Sequence, residues 1–159
     1  MGDILWRAIV MGVVATAVLD LWALLLKQVF GFPTPNWALV GRWFCHVPAG
    51  RLMHEDIGKS PGFSNERAVG WIAHYAVGIY FALATVLIGG AGWIKAPTPL
   101  LPLIVGWVTV GCGWFILQPG MGAGIAASKK PDANRIRLLN VIGHTVFGLA
   151  MWGAALALK

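Results

Sequence analysis

Residues 67–78, RAVGWIAHYAVG, and residues 137–148, RLLNVIGHTVFG, repeat one pattern: Arg67, His74 and Gly78 return as Arg137, His144 and Gly148, with the same spacings of seven and four. Each stretch reads as an apolar helix that leaves water at its arginine. At about 1.5 Å rise per residue, each histidine then lies roughly 10 Å deeper. Asp20 precedes Lys27 by the same seven residues, on a helix running the opposite way. The pattern predicts one carboxylate and two imidazoles at one depth in a bilayer. Ionisable groups there are costly and usually face a bundle interior or a wet cavity, which makes Asp20, His74 and His144 candidate site residues.

Composition sets the class. The 159 residues are 58% hydrophobic and 11% charged, with a mean hydropathy of +0.73. Four apolar runs, at about 8–26, 69–88, 100–117 and 138–158, approach the roughly 20 residues that span a hydrocarbon core. The expected fold is all-α: an integral membrane four-helix bundle filling residues 1–159 as a single membrane domain. Only residues 31–66 form a substantial hydrophilic segment. A cleaved signal peptide is disfavoured for the first run, because it stays apolar well past Ala15, Thr16 and Ala17 and because Asp3 weakens the n-region.

Charge gives orientation. Nine basic residues (Lys27, Arg42, Arg51, Lys59, Arg67, Lys129, Lys130, Arg135 and Arg137) fall on the side of the two longer loops, against three (Arg7, Lys95 and Lys159) on the other. The positive-inside rule then places both long loops in the cytoplasm and both termini in the periplasm. The net charge of +6 is therefore an orientation signal with some attraction for anionic lipid, and it does not indicate a nucleic-acid partner.

Small residues mark the packing faces. Ala8, Gly12, Thr16 and Asp20 recur every four positions on the first helix, Gly70, His74, Gly78 and Ala82 on the second, and Asn140, His144 and Gly148 on the last. Such stripes let membrane helices approach closely, so Gly78, Gly148 and the helix-ending Gln118 are read as close-packing or pocket positions. The Arg-His-Gly echo suggests two pseudo-repeated helical hairpins, although the third helix offers no counterpart of Asp20. In the first long loop, Trp37, Val40, Trp43 and Phe44 predict a short interfacial helix with tryptophans at headgroup level. The glycine-rich stretch after Gln118 predicts a tight turn and a short interfacial helix, or a backbone bared for close approach.

Several chemistries fit these residues. Two imidazoles and a carboxylate suffice for a divalent transition metal, with His54 and Glu66 as weaker ligands or supports. Opposed His74 and His144 could instead hold haem b, with Gly78 and Gly148 clearing its edge. An acid in the first helix also suits a proton-coupled exchanger, and the small multidrug-resistance exporters resemble this chain in helix number and in that acid. A structural reading has the three groups bonding one another in an accessory subunit or homo-oligomer. Whether the chain is an enzyme stays open. Cys45 and Cys112 suggest no disulfide, and Cys45 beside His46 is a weak soft-metal signal. Serine hydrolysis is disfavoured, since Ser60, Ser64 and Ser128 sit in loops without an evident oxyanion arrangement.

The strings DLWALLLKQVFG, NWALVGRWFCHVPAGR, GWIAHYAVG and QPGMGAGIAAS together resemble a family of small bacterial inner-membrane proteins of unknown function. The resemblance runs from the first helix to the last histidine. It implies a multispan helical fold in the bacterial inner membrane, and it assigns no activity to any residue.

Overall fold

A computed structural model describes residues 2–159, and among them the regular structure is helical. Helix α1 (Gly2–Phe30) is followed by the short α2 (Trp37–His46) and the long α3 (Glu66–Lys95). Helix α4 (Leu100–Gly120) and helix α5 (Ala133–Ala157) complete the set, and α1, α3, α4 and α5 are each long and apolar enough to cross a membrane. These helices outrun the apolar runs because their ends carry polar residues that still continue the helical hydrogen bonding. Helix α3 breaks near its end at Gly90, whose φ of 63° is open to glycine at little steric cost. Helix α4 starts after Pro97 and Pro99, absorbs Pro102 in its first turn, and loosens into a π-turn at Gly113–Leu117.

The chain forms two compact units. The first comprises the described residues through Thr34, with Tyr75–Thr109 and Val141–Lys159. Met11, Ala15, Ala82, Val86, Phe147, Met151, Ala154 and Ala155 form its core. Glycine sets the helix approaches here. A Cβ on Gly12 would strike the backbone of Ile79, and one on Gly78 would strike the Thr16 hydroxyl. Likewise, a Cβ on Gly106 would meet the carbonyl of His144, and one on Gly148 would come within 2.8 Å of the Pro102 carbonyl. The two glycines of the repeat therefore do equivalent work, one seating α3 on α1 and the other seating α5 on α4.

The second unit comprises Pro35–His74 and Val110–Asn140. Helix α2 begins where Asn36 Oδ1 accepts the N–H groups of Ala38 and Leu39 at 3.1 and 3.4 Å, which satisfies two otherwise orphaned donors. Its inner face carries Val40, Gly41, Trp43 and His46, all buried. Gly41 lies so close to the first turns of α3 that a Cβ would overlap the Glu66 carbonyl, and one on Gly70 would overlap the Trp37 carbonyl. The expected short helix is thus present, but Val40 and Trp43 face protein, because glycine on both helices lets α2 dock flush against α3. The glycine-rich stretch turns beneath the other loop: Gly120 faces Trp43 and the Leu52 carbonyl, and Gly122, with φ of 88°, faces the carbonyls of His54 and Glu55.

Candidate functional site

The second unit holds a cleft of about 320 Å³ lined by His46, Gly50, Arg51, Leu52, Met53, His54, Ser60 and Pro61. Its walls follow from local chain chemistry. Helix α2 ends at His46, Pro48 tightens the next residues into a 3₁₀ turn, and Gly50, at φ 72°, reverses the chain. Arg51 N–H still reaches the His46 carbonyl at 3.3 Å. The following segment runs alongside the end of α4, where Leu52 O accepts the Trp43 indole N–H at 2.9 Å. His54 N–H reaches Gly120 O at 3.0 Å, and Ile57 N–H reaches Met121 O at 3.2 Å. Asp56 then caps a second 3₁₀ turn through Gly58 N–H at 2.9 Å, and that turn brings Ser60 back to His54.

Two imidazoles meet in the cleft with their ring centres 4.9 Å apart. His46 is buried, at 4% exposure, and bonds the Pro61 carbonyl through Nε2 at 3.1 Å. A carbonyl can only accept, so His46 Nε2 carries the proton. Phe63 covers its ring edge-on at 5.0 Å between centres. His54 places Nδ1 2.8 Å from Ser60 Oγ and Nε2 3.3 Å from the Arg51 carbonyl. By the same logic Nε2–H donates to the carbonyl, leaving Nδ1 to accept the Ser60 hydroxyl proton. Arg51 is exposed, lines the cleft, and forms no ion pair among the described residues.

Arg42 fixes the back of this layer. Its Nε and Nη2 donate to the two Glu66 oxygens at 2.8 and 2.9 Å. Nη1 reaches the carbonyls of Ile57, Gly58 and Ser60 at 3.3, 3.1 and 3.1 Å. One planar cation thereby ties α2, the start of α3 and the turn carrying Ser60, a geometry suited to the guanidinium fork. The hydrogen bonds that Arg42 donates to Glu66 raise its pKa above the ordinary value, which favours the charged guanidinium of the pair. Glu66 also accepts the Phe63 N–H at 3.1 Å.

The residues singled out from sequence have these surroundings. Asp20 accepts the Tyr75 hydroxyl at 3.1 Å. His74 stacks on Trp37 with 3.8 Å between ring centres. His144 sets Nδ1 against Gly106 O at 2.9 Å and Thr109 Oγ1 at 3.2 Å. Among the described residues no group of three His, Cys, Asp or Glu side chains is placed to hold a metal. His54 is turned to Ser60, and both oxygens of Glu66 are held by Arg42. The clearance that Gly78 and Gly148 were expected to give a haem is filled by Thr16 and by the backbone of Pro102 and Leu103. Gln118 donates to Asn140 Oδ1 at 3.0 Å, beside Trp114 at the same distance, while its own Oε1 is buried without a partner among the described residues.

His46, Arg51 and Ser60 carry the cleft; His46 ends α2, and Arg51 and Ser60 lie in irregular chain where periodicity gives no signal. The available signal was turn chemistry: Pro48 with Gly50, and Asp56 before Gly58, mark two reversals that fold residues 46–61 onto themselves.

Four apolar helices joined by this polar loop layer define a multispan membrane protein. The chain matches the DUF2938 family, proteins of unknown function, over residues 9–158, and it belongs to that family. No curated protein and no solved structure matches the chain.

Proposed function

We propose that this protein binds the anionic headgroup of an amphiphile in the cleft of its loop layer. The observation that carries the reading is the lining itself: Arg51, His46, His54 and Ser60 offer positive charge and hydrogen bonding, while Leu52, Met53 and Pro61 offer apolar surface. Leu52 and Met53 are 51% and 69% exposed, as suits residues that contact a tail. A volume of about 320 Å³ falls within the roughly 300–1,000 Å³ of small-molecule sites and admits a headgroup rather than a whole lipid. The neighbouring acids do not oppose an anion from within: Glu55 and Asp56 are outside the lining, and Asp56 is engaged with Gly58.

The distribution of basic residues orients the cleft to the cytoplasm of an inner membrane, where anionic headgroups attract such a surface. Binding is tested with full-length protein in a neutral detergent, titrated with a short-chain phosphatidylglycerol and with its phosphatidylcholine counterpart. The anionic lipid is expected to bind more tightly, and Arg51→Gln to remove most of the difference. Equal binding of the two lipids, or an unchanged preference in Arg51→Gln, rejects this occupant.

A further inference from the structure

We infer that Ser60 is a nucleophile and His54 its general base, so that the cleft cleaves an ester of the amphiphile it binds. The inference rests on the proposed occupant for its substrate class, but the reactive pair stands on its own geometry.

Three features separate this pair from an ordinary loop hydrogen bond. The first is direction: Nε2–H of His54 is committed to the Arg51 carbonyl and Nδ1 faces Ser60 Oγ at 2.8 Å, so the imidazole is already in the tautomer that takes the hydroxyl proton. Nucleophile, base and orienting group are thus in sequence. The second is fixation. Ser60 is held in extended backbone at φ −73° and ψ 153°, which Pro61 favours from the following position. Its carbonyl is bound by Arg42 and that of Pro61 by His46. The third is access, since Ser60, His54 and the guanidinium-bearing Arg51 all line one cleft. The exposed Ser64 and Ser128 belong to no such arrangement.

The chemistry balances without a cofactor. Ser60 Oγ bonds to the ester carbonyl carbon as its proton passes to His54 Nδ1, and the carbonyl π electrons move onto oxygen. Arg51 offers that oxyanion a positive charge. Collapse of the adduct breaks the bond to the alcohol oxygen, which leaves with the proton from His54. Water then adds to the acyl-serine with the same base, releasing the carboxylic acid and restoring the Ser60 hydroxyl. Nothing is oxidised or reduced.

The alternative role for the pair is a staple between two turns, in which Ser60 has no special reactivity. A fluorophosphonate probe separates the two on full-length protein in detergent, because an activated serine displaces its fluoride and keeps a phosphonyl group visible by mass spectrometry. Label is expected on Ser60, absent in Ser60→Ala, and slowed about 100-fold or more in His54→Ala, the low end of general-base contributions. Melting and helical circular dichroism of both variants establish that they are folded. Labelling of Ser60 no faster than of Ser64, or labelling that survives His54→Ala unchanged in folded protein, overturns the inference. Loss of headgroup preference with Ser60 labelling intact removes only the occupant, whereas intact preference without labelling removes only the nucleophile.

Discussion

Arg42 and Glu66, 24 positions apart, are joined by two parallel hydrogen bonds of 2.8 and 2.9 Å between guanidinium and carboxylate. The same guanidinium also holds the carbonyls of Ile57, Gly58 and Ser60 in the turn that carries Ser60. Arg42→Gln should therefore lower the melting temperature in detergent, by more than Arg51→Gln does, because it strands both the carboxylate and the turn. Arg42→Lys should fail to restore it, since an ammonium cannot reproduce the planar fork. A melting temperature equal to wild type in Arg42→Gln would remove the tie from the account.

The seat of α2 on α3 depends on absent side chains. Gly41→Ala and Gly70→Ala each place a methyl group on a backbone carbonyl of the partner helix, where neither atom can swing aside. Each should destabilise by about 1–3 kcal/mol, the ordinary range for overpacking. Gly153→Ala is the control: nothing lies within 4 Å of its Cβ position, and near the end of α5 it should stabilise by at most about 0.5–1 kcal/mol. Denaturation of the three variants in one detergent checks both signs.

How far the sequence exposed this molecule depended on how local each signal was. The four long helices were legible because lipid demands unbroken apolar runs, and α2 because Trp37, Val40 and Trp43 keep a helical period. On the stripes, a Cβ added at Gly12, Gly78 or Gly148 would meet a neighbouring helix. The cleft was not. His54 and Ser60 are only six residues apart, yet their meeting depends on two turns and on a guanidinium contributed by α2. Likewise the π-turn at Gly113–Leu117 has no periodic signature. Depth arguments ranked Asp20, His74 and His144 by their cost in lipid, a criterion that overlooks polar groups assembled at the membrane boundary.

Asp20 and Tyr75 form a hydroxyl-to-carboxylate contact between α1 and α3 at 3.1 Å. Interhelical polar contacts of this kind average about 0.6 kcal/mol in membrane double-mutant cycles, with a maximum near 1.7. Tyr75→Phe should cost an amount in that range and leave the helical circular dichroism unchanged. In the Asp20→Asn background the same change should cost less, because the charged acceptor is gone. Equal cost in both backgrounds would mean that the hydroxyl does not work through Asp20.

The orientation of the loop layer decides which leaflet could supply the cleft. Nine basic residues accompany the two long loops and three the opposite side. Those two loops are one structural layer, since His54 and Ile57 bond the backbone of Gly120 and Met121. They must therefore share a side of the membrane. On a background lacking Cys45 and Cys112, a membrane-impermeant maleimide applied to intact cells should label Lys95→Cys and spare Lys130→Cys. Permeabilisation should then expose Lys130→Cys to the reagent. Labelling of Lys130→Cys in sealed cells, with Lys95→Cys protected, would reverse the topology and turn the Arg51 cleft toward the outer leaflet.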